Sequence, residues 1–287
     1  MTPPQPATRD RVVASSPAWV VAGLGGPVRE VPVVHRGADA VYVDLGDRVL
    51  GVLSTAATAV PCGLRTTLPV LPVSLTSARR ALVGGGHLDL DDTRVVVTRV
   101  VDAGVPRRPG RDPDTARHLL ARALASPDPV DPTAAPVLRA VVDELPPEAL
   151  VLLADGDPDA AALLLGRGSG LTPVGDDVLC GALATLVSAA VRAPALTAAV
   201  LTLAPERTTA LSATLLGCAA RGDVLPQFAA LLQHLAPPGT ADPDDHDDPR
   251  TTAAATALVR VGHTSGAGLL LGTALALRHL ATRSTLR

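Results

Sequence analysis

The 287-residue sequence contains no lysine, so all 25 of its basic residues are arginines. Lysine supplies the ammonium group of a Walker A phosphate-binding loop and the amine that anchors pyridoxal phosphate. The absence of lysine therefore excludes both kinds of site. Aromatic residues are also scarce, with one Phe, one Trp and one Tyr. The core of this protein must consequently be built from aliphatic side chains.

Cysteine is nearly absent as well, and Cys62, Cys180 and Cys218 lie far apart in the sequence. Their spacing fits neither a disulfide framework nor a zinc site, so a reducing cytoplasm is the predicted compartment. Arg9 and Arg11 precede a stretch rich in Val and Ala, which resembles a signal peptide only faintly. Prolines interrupt that stretch and no convincing cleavage site follows it, so export is not predicted.

The sequence has neither a membrane-length apolar run nor an excess of one charge. Its longest apolar run, residues 178–191, is shorter than the ~18 to 20 residues of a membrane span and predicts a buried helix. A net charge of −3 provides no attraction to nucleic acid or to an anionic membrane. Because 47% of the residues are hydrophobic, the chain can bury a substantial core as one large domain or two modest ones.

Short β-branched runs, separated by Gly, Pro or Asp, occupy the first third of the chain. This alternation is typical of a small antiparallel sheet or barrel. Residues 104–113 are rich in Pro, Gly and Arg, and beyond them the apolar periodicity becomes helical. We therefore predict an α+β fold with a mainly β domain at residues 1–108 and a mainly helical domain at residues 112–287. The predicted strands are residues 28–35, 40–44, 49–53, 69–75 and 93–101.

The second half contains apolar patterns of helical length. A run of Pro and Asp at residues 237–250 interrupts them, and its low hydrophobicity favours a solvated loop over a site for a hard cation. The predicted helices are residues 115–125, 137–145, 157–165, 176–192, 196–203, 206–221, 224–236, 251–261 and 266–280.

A glycine-rich loop, GRGSGLTPVGDD at residues 166–177, opens the apolar helix. Its alternate glycines permit tight turns and a close approach of a ligand to the backbone. Thr172 and Pro173 predict an N-cap followed by the first helical turn. The free amides of such a loop and the helix dipole favour a phosphate or carboxylate ligand. Arg167 can add a charge-assisted contact to the same anion.

Asp176 and Asp177 follow that loop in the first turn of the helix. Acidic side chains at this position complement the helix dipole. Two carboxylates beside an anion site can also hold a divalent cation or accept a proton. The sequence does not favour one of these interpretations over the other.

A second loop, VGHTSGAG at residues 261–268, precedes the last predicted helix. His263 can supply a proton near pH 7, while Thr264, Ser265 and the backbone amides can bind oxygen. Alternatively, Thr264 or Ser265 caps the helix and His263 packs against it. Two anion-binding helix starts in one domain predict a single composite pocket.

Three hydroxyl residues, Thr208, Thr209 and Ser212, lie between the two loops. The i, i+4 spacing of Thr208 and Ser212 places both on one helix face, where they can line the same cleft. Bonding back to the helix carbonyls is the more common behaviour of such groups and is the favoured interpretation.

At these residues the chain resembles the AllH-like family of small subunits of bacterial oxamate carbamoyltransferase. The family pattern runs roughly G-x-G-P-G-L-T-P-S-G/H-D-D and then G-H-T-S-G-x-D. The order and spacing of both motifs agree over about residues 163–280. Three positions depart from the pattern: Ser169 stands in place of Pro, Val174 in place of Ser, and Gly268 in place of Asp.

The resemblance implies a subunit of a multi-subunit enzyme of allantoin catabolism, a part of purine degradation. That enzyme converts oxalurate and phosphate to oxamate and carbamoyl phosphate, and its other subunits are AllG-like and FdrA-like. The alternative is a non-catalytic subunit that binds an anion or assembles the complex. No cofactor follows with certainty from the residues, and a divalent cation is the candidate that Asp176 and Asp177 offer.

The residues of the two loops offer a candidate for each chemical need of carbamoyl transfer. The first loop binds phosphate or the oxalurate carboxylate, and the second holds the tetrahedral oxyanion. His263 acts as general acid and base, oriented by an aspartate that can instead bind the cation. The predicted catalytic residues are His263, Asp176 and Asp177. The predicted binding residues are Arg167, Gly168, Gly170, Thr172, Gly175, Thr264, Ser265 and Gly266.

Overall fold

The computed structural model describes residues 10–107, 113–125, 134–235 and 249–285. It divides into two compact units, Met1–Asp102 and Ala103–Arg287. The first is a sheet and the second is mainly helical, which confirms the predicted α+β class. The predicted domain boundary, residues 108–112, and most of the Pro and Asp run lie outside the described residues.

The first unit is a nine-stranded sheet with the strand order β2-β7-β8-β9-β1-β6-β5-β4-β3. Its two end strands, β2 and β3, are separated in sequence only by Pro32, so the sheet must curl until its edges approach each other. Its interior is aliphatic, with Val41, Val52, Leu64 and Leu88 completely buried. The strands are β1 (Asp10–Pro17), β2 (Arg29–Val31), β3 (Val33–Arg36), β4 (Ala40–Asp44), β5 (Val49–Leu53), β6 (Gly63–Thr66), β7 (Ala81–Gly84), β8 (His87–Leu90) and β9 (Thr93–Val101).

Several features of this sheet differ from the sequence analysis. The predicted strand at residues 28–35 is divided at Pro32 into β2 and β3, and β1, β6, β7 and β8 were not predicted. Most pairs are antiparallel, but β1 pairs parallel with β9, and β5 pairs parallel with β6. The predicted strand at residues 69–75 is wrong, because Pro69 and Pro72 have no amide hydrogen for a sheet ladder. A single helical turn occupies its C-terminal part instead. The two short helices of this unit are α1 (Ala18–Gly23) and α2 (Val73–Thr76).

The second unit packs its helices around α7, of which nearly every residue is buried. This confirms the buried helix predicted at residues 178–191, since a helix that is apolar all round must be covered on every side. No helix within the described ranges is long and apolar enough to cross a membrane. The helices are α3 (Pro113–Ala125), α4 (Ala134–Glu144), α5 (Pro147–Asp155), α6 (Ala160–Leu164), α7 (Val174–Ser188), α8 (Pro194–Arg207), α9 (Ala210–Arg221), α10 (Pro226–Leu235), α11 (Pro249–Val259) and α12 (Ser265–Thr285).

The helix predicted at residues 206–221 is in fact interrupted. Helix α8 runs to Arg207, and α9 begins at Ala210. Thr209 is the N-cap of α9, and its hydroxyl accepts a hydrogen bond from the Ser212 amide at 3.0 Å. The break leaves Thr208 extended, and its hydroxyl donates a hydrogen bond to Asp176 in the site described next.

Candidate functional site at the paired starts of α7 and α12

Helices α7 and α12 pack parallel to each other at very short range. A Cβ atom added to Gly272 would lie 2.0 Å from the Val178 carbonyl oxygen, and one added to Gly268 would lie 3.1 Å from that of Val174. Contacting positions thus advance in the same direction along both helices. The two N-termini therefore lie side by side, and the positive ends of two helix dipoles point the same way.

A hydrogen bond joins the two loops directly: Thr172 Oγ1 and Ser265 Oγ lie 3.0 Å apart. Thr172 is consequently not the N-cap of α7, contrary to the sequence analysis. Pro173 holds that position, and its side chain has no hydrogen-bonding group, while the Thr172 hydroxyl pairs with Ser265 at the start of α12. Ser265 is the first residue of α12.

The Asp176 carboxyl connects three parts of the site and is completely buried. Its Oδ1 accepts from the Gly166 amide at 2.8 Å, and its Oδ2 accepts from the Ser212 hydroxyl at 2.7 Å and from Thr208. Burial raises the pKa of Asp176, and these hydrogen bonds oppose the shift. Asp176 thereby ties the glycine-rich loop and the start of α9 to α7. The favoured interpretation of Thr208 and Ser212, bonding back to helix carbonyls, is wrong.

Asp177 lies between the first turns of α7 and α12 and is only 6% exposed. Ser265 hydrogen-bonds to its carboxyl, whereas Oδ2 is buried and has no partner among the described residues. Burial is the main cause that raises the pKa of Asp177, to about 8; the neighbouring Asp176 charge adds to the shift, and the Ser265 hydrogen bond opposes it. A hydroxyl chain from Thr172 through Ser265 therefore ends on a carboxyl that is half satisfied.

The Asp176 carboxyl has no oxygen free of protein hydrogen bonds. The described residues contain no group of three or more His, Cys, Asp or Glu side chains that fits a metal ion. Both oxygens of Asp176 already accept hydrogen bonds from the protein, whereas a hard cation needs such oxygens as ligands. The geometry therefore gives Asp176 a hydrogen-bonding role within the protein.

The outer part of the first loop is open to solvent. Gly166, Gly168 and Gly170 have φ angles of +73°, +106° and +93°, which explains the alternate glycines. The amides of residues 168–172 donate to no other described residue, so they are free to bind a ligand. Arg167 is exposed, and its Nε donates to the Leu163 carbonyl at 3.2 Å.

Two of the predicted binding glycines have a packing role. A Cβ atom on Gly175 would lie 2.1 Å from the Leu164 carbonyl oxygen, and one on Gly266 would lie 1.8 Å from that of Leu258. Their amides are also engaged, with Gly175 donating to the Arg167 carbonyl at 2.9 Å. These glycines hold the loops against α6 and α11 and offer no free amide to a ligand.

The second loop presents His263 to solvent. No described residue hydrogen-bonds to its ring, so His263 contacts neither Asp176 nor Asp177 in this structure. Thr264 is half-buried, and its carbonyl accepts from the Gly268 amide at 2.9 Å as α12 begins. The structure therefore places His263 at the rim of the site and Ser265 at its centre.

Sequence reasoning missed the glycines that bring the two helices together. A Cβ atom on Gly181 would lie 2.3 Å from the Leu269 carbonyl oxygen, comparable with the clash described for Gly272. The signal was present, since Gly268 and Gly272 are four residues apart and so lie on one face of α12. Small residues with this spacing let helix backbones approach closely.

Comparison with known families matches this part of the chain. The family model described as oxamate carbamoyltransferase subunit AllH matches residues 164–277. Residues 164–277 are AllH-like. This confirms the resemblance predicted from the two motifs, and the matched AllH region includes both loops and all the helices from α7 to α11. No curated protein and no solved structure matches the chain.

Two of the three departures from the AllH pattern face each other in the structure. A Cβ atom on Gly268 would lie 3.2 Å from Val174 Cγ2 and 2.8 Å from Asp177 Cβ. The valine side chain thus fills space beside a residue that has no side chain. A larger residue at position 174 and a smaller one at position 268 compensate each other in volume.

This contact predicts a coupled pair of substitutions. Gly268→Ala should destabilise the protein by about 1–3 kcal/mol, because the new methyl group meets Val174 and Asp177. Adding Val174→Ser should recover part of that loss, with a coupling free energy of about 0.5–2 kcal/mol. Urea denaturation of the two single variants and the double variant measures the cycle, and strictly additive effects would show that the two positions are independent.

Proposed function

We propose that this chain is the AllH-type subunit that binds the small anionic substrates of an oxamate carbamoyltransferase, at the paired starts of α7 and α12. The observation that carries the proposal is the parallel packing of the two helices, which places two positive dipole ends side by side. The free amides of residues 168–172 lie at the same place and favour a phosphate or carboxylate group.

The proposed reaction is the transfer of the carbamoyl group of oxalurate to phosphate. A phosphate oxygen forms a bond to the ureido carbon, and the carbonyl oxygen becomes the oxyanion of a tetrahedral intermediate. The bond from that carbon to the oxamate nitrogen then breaks, and the nitrogen takes up the proton that phosphate has lost. His263, at the rim, is the candidate carrier of this proton, while Ser265 and the loop amides stabilise the oxyanion.

Partners belong to the same proposal. AllG-like and FdrA-like subunits would complete the enzyme in the cytoplasm, and oxalurate, phosphate, oxamate and carbamoyl phosphate would be its small-molecule ligands. The exposed first loop, in which the Leu171 side chain is 45% exposed, suits a site that another subunit helps to enclose. Co-purification with the two partner types checks the assembly separately from the chemistry.

A reconstituted transfer assay tests the catalytic role. We expect His263→Ala to slow carbamoyl transfer by about 10²- to 10⁴-fold, the usual contribution of a general acid or base. His118→Ala is the matched control, because His118 is another exposed histidine of the helical unit and belongs to α3, outside the sequences of both loops. Equal activity of both variants would refute the role of His263.

The alternative, a non-catalytic anion-binding or assembly subunit, has one observation in its favour: His263 contacts neither aspartate. Titration of the full chain with phosphate, carbamoyl phosphate and oxamate separates the two functions. Saturable anion binding with an inactive His263→Ala variant supports the enzyme. Tight binding to partner subunits without any affinity for these anions supports the assembly role.

A further inference from the structure

Near the two helix starts, the Asp177 carboxyl is the one buried polar side chain of the described residues with an oxygen that lacks a partner. Its Oδ2 is buried and has no partner among the described residues, although Ser265 hydrogen-bonds to the carboxyl. Native proteins pair most buried polar atoms, since an unpaired one costs about 1–3 kcal/mol. An unpaired atom beside a candidate ligand site therefore indicates a group that hydrogen-bonds to the ligand.

The surroundings of Oδ2 determine which partner is suitable. No described group donates a hydrogen bond to Oδ2, so an ionised carboxylate would be poorly solvated there. The nearest ionisable groups are Asp176 and Cys180, and both are themselves buried on α7. A negative charge on either would oppose ionisation of Asp177. On α12, the facing residues are Ser265 and Gly268, neither of which carries a charge.

We propose that Asp177 donates a hydrogen bond from Oδ2 to the carbonyl oxygen of a small carboxylate or carbamoyl ligand bound between α7 and α12. This proposal rests on the proposed function, because the anionic part of the ligand lies on the free loop amides. The raised pKa of Asp177 agrees with a carboxyl that keeps its proton at neutral pH. A neutral carboxylic acid in an apolar site can stabilise a developing oxyanion in this way.

Access to Oδ2 requires a movement of the two loops. The described contact that joins them beside Asp177 is the hydrogen bond between Thr172 and Ser265, and both side chains are half-buried. Rotation of two hydroxyl side chains is a small change that a ligand oxygen can offset by taking over the freed hydrogen bonds. Ser265 would then lie beside the ligand and leave Oδ2 of Asp177 in direct contact with the ligand carbonyl oxygen.

Three small acids test the proposal on the full chain. Oxamate and pyruvate carry a carbonyl beside the carboxylate, whereas propionate has the carboxylate alone. We expect oxamate and pyruvate to bind roughly 10- to 100-fold more tightly than propionate, the range for one hydrogen bond to a buried polar group. Titration calorimetry or chemical-shift titration by NMR measures the three dissociation constants.

Two substitutions of Asp177 then identify the donor. Asp177→Leu retains the shape without a donor and should abolish the preference for carbonyl ligands. Asp177→Asn retains an N–H donor and should preserve most of the preference. It also serves as the second variant in case Asp177→Leu does not fold. Asp143→Asn, at an exposed position of α4, is the control for a change from acid to amide.

The outcomes separate this proposal from the one on which it rests. If none of the three acids binds, the anion site itself is refuted. If propionate binds as tightly as pyruvate, the anion site stands and the role of Asp177 is wrong. A preference that survives in Asp177→Leu, or that disappears fully in Asp177→Asn, would equally overturn a donating Asp177.

Discussion

Replacement of Asp177 by asparagine is expected to stabilise the protein, and the gain should grow as the pH rises from about 4 to about 8. The folded-state pKa of Asp177 is raised from 3.8 to about 8, mainly by burial. Between these values the folded chain holds a proton that the unfolded chain has released. The wild-type free energy of unfolding therefore falls as the pH rises through this window and levels off above it.

The size of this effect follows from the linkage between pKa and stability. Each pH unit within the window changes the stability by up to about 1.4 kcal/mol, so the total at pH 7 is on the order of 3–4 kcal/mol. Asparagine has no such titration. Urea denaturation between pH 4 and pH 9 measures this difference. Circular dichroism at 222 nm follows the helical unit, whereas fluorescence of Trp19 and Tyr42 would follow the sheet unit, in which both residues lie.

Asp143→Asn again serves as the control, since an exposed carboxyl should show no comparable pH-dependent difference. A gain in Asp177→Asn that is the same at every pH would contradict a protonated Asp177. A carboxyl that destabilises the fold is a feature that proteins retain mainly for function. Ligand binding by Asp177→Asn should therefore also be compared with ligand binding by the wild-type protein.

Gly272→Ala is expected to be strongly destabilising. The new methyl group would lie 2.0 Å from the Val178 carbonyl oxygen and 2.8 Å from the Ala182 amide nitrogen, and both are backbone atoms that cannot rotate away. Helices α7 and α12 must separate to accept it, at a cost of about 3 kcal/mol or more, at the upper end of the range for overpacking. Because the same packing aligns the two helix starts, ligand binding should be lost as well.

Gly217→Ala is the matched control, because it makes the same substitution within a helix. Its added Cβ would meet only the flexible end of Arg221, at 3.7 Å. Alanine has the higher helix propensity, so this variant should be unchanged or up to about 1 kcal/mol more stable. Thermal and urea denaturation of both variants compare the two positions. Similar effects at both would show that the close approach of α7 and α12 is unimportant.

Strands of the sheet unit could be predicted where neighbouring residues specify them, and not where they pair with distant parts of the chain. The hairpin-like alternation of β3, β4 and β5 could be read from neighbouring residues. Strand β1 was missed, because it pairs parallel with β9, which follows it by some 80 positions in the chain. Residues 69–75 were predicted as a strand because two valines and two leucines outweigh Pro69 and Pro72 in the local pattern.

The candidate site shows the same division. The glycines of the first loop, the acidic first turn of α7 and the hydroxyls of the second loop could all be recognised from residue types and spacing. The bonds that organise them could not. Asp176 accepts hydrogen bonds from Thr208 and Ser212, more than 30 residues away, and Thr172 pairs with Ser265 across 93 positions.

Composition and local periodicity by themselves determined the aliphatic core, the α+β class, the buried central helix and the two glycine-rich loops at helix starts. These features depend on residues a few positions apart, which share one turn or one strand. Only the tertiary structure decided that α7 and α12 run parallel and that one buried oxygen of Asp177 has no partner among the described residues. Both follow from how distant backbones pack at the glycines between them, and the spacing of residues along the chain does not encode that packing directly.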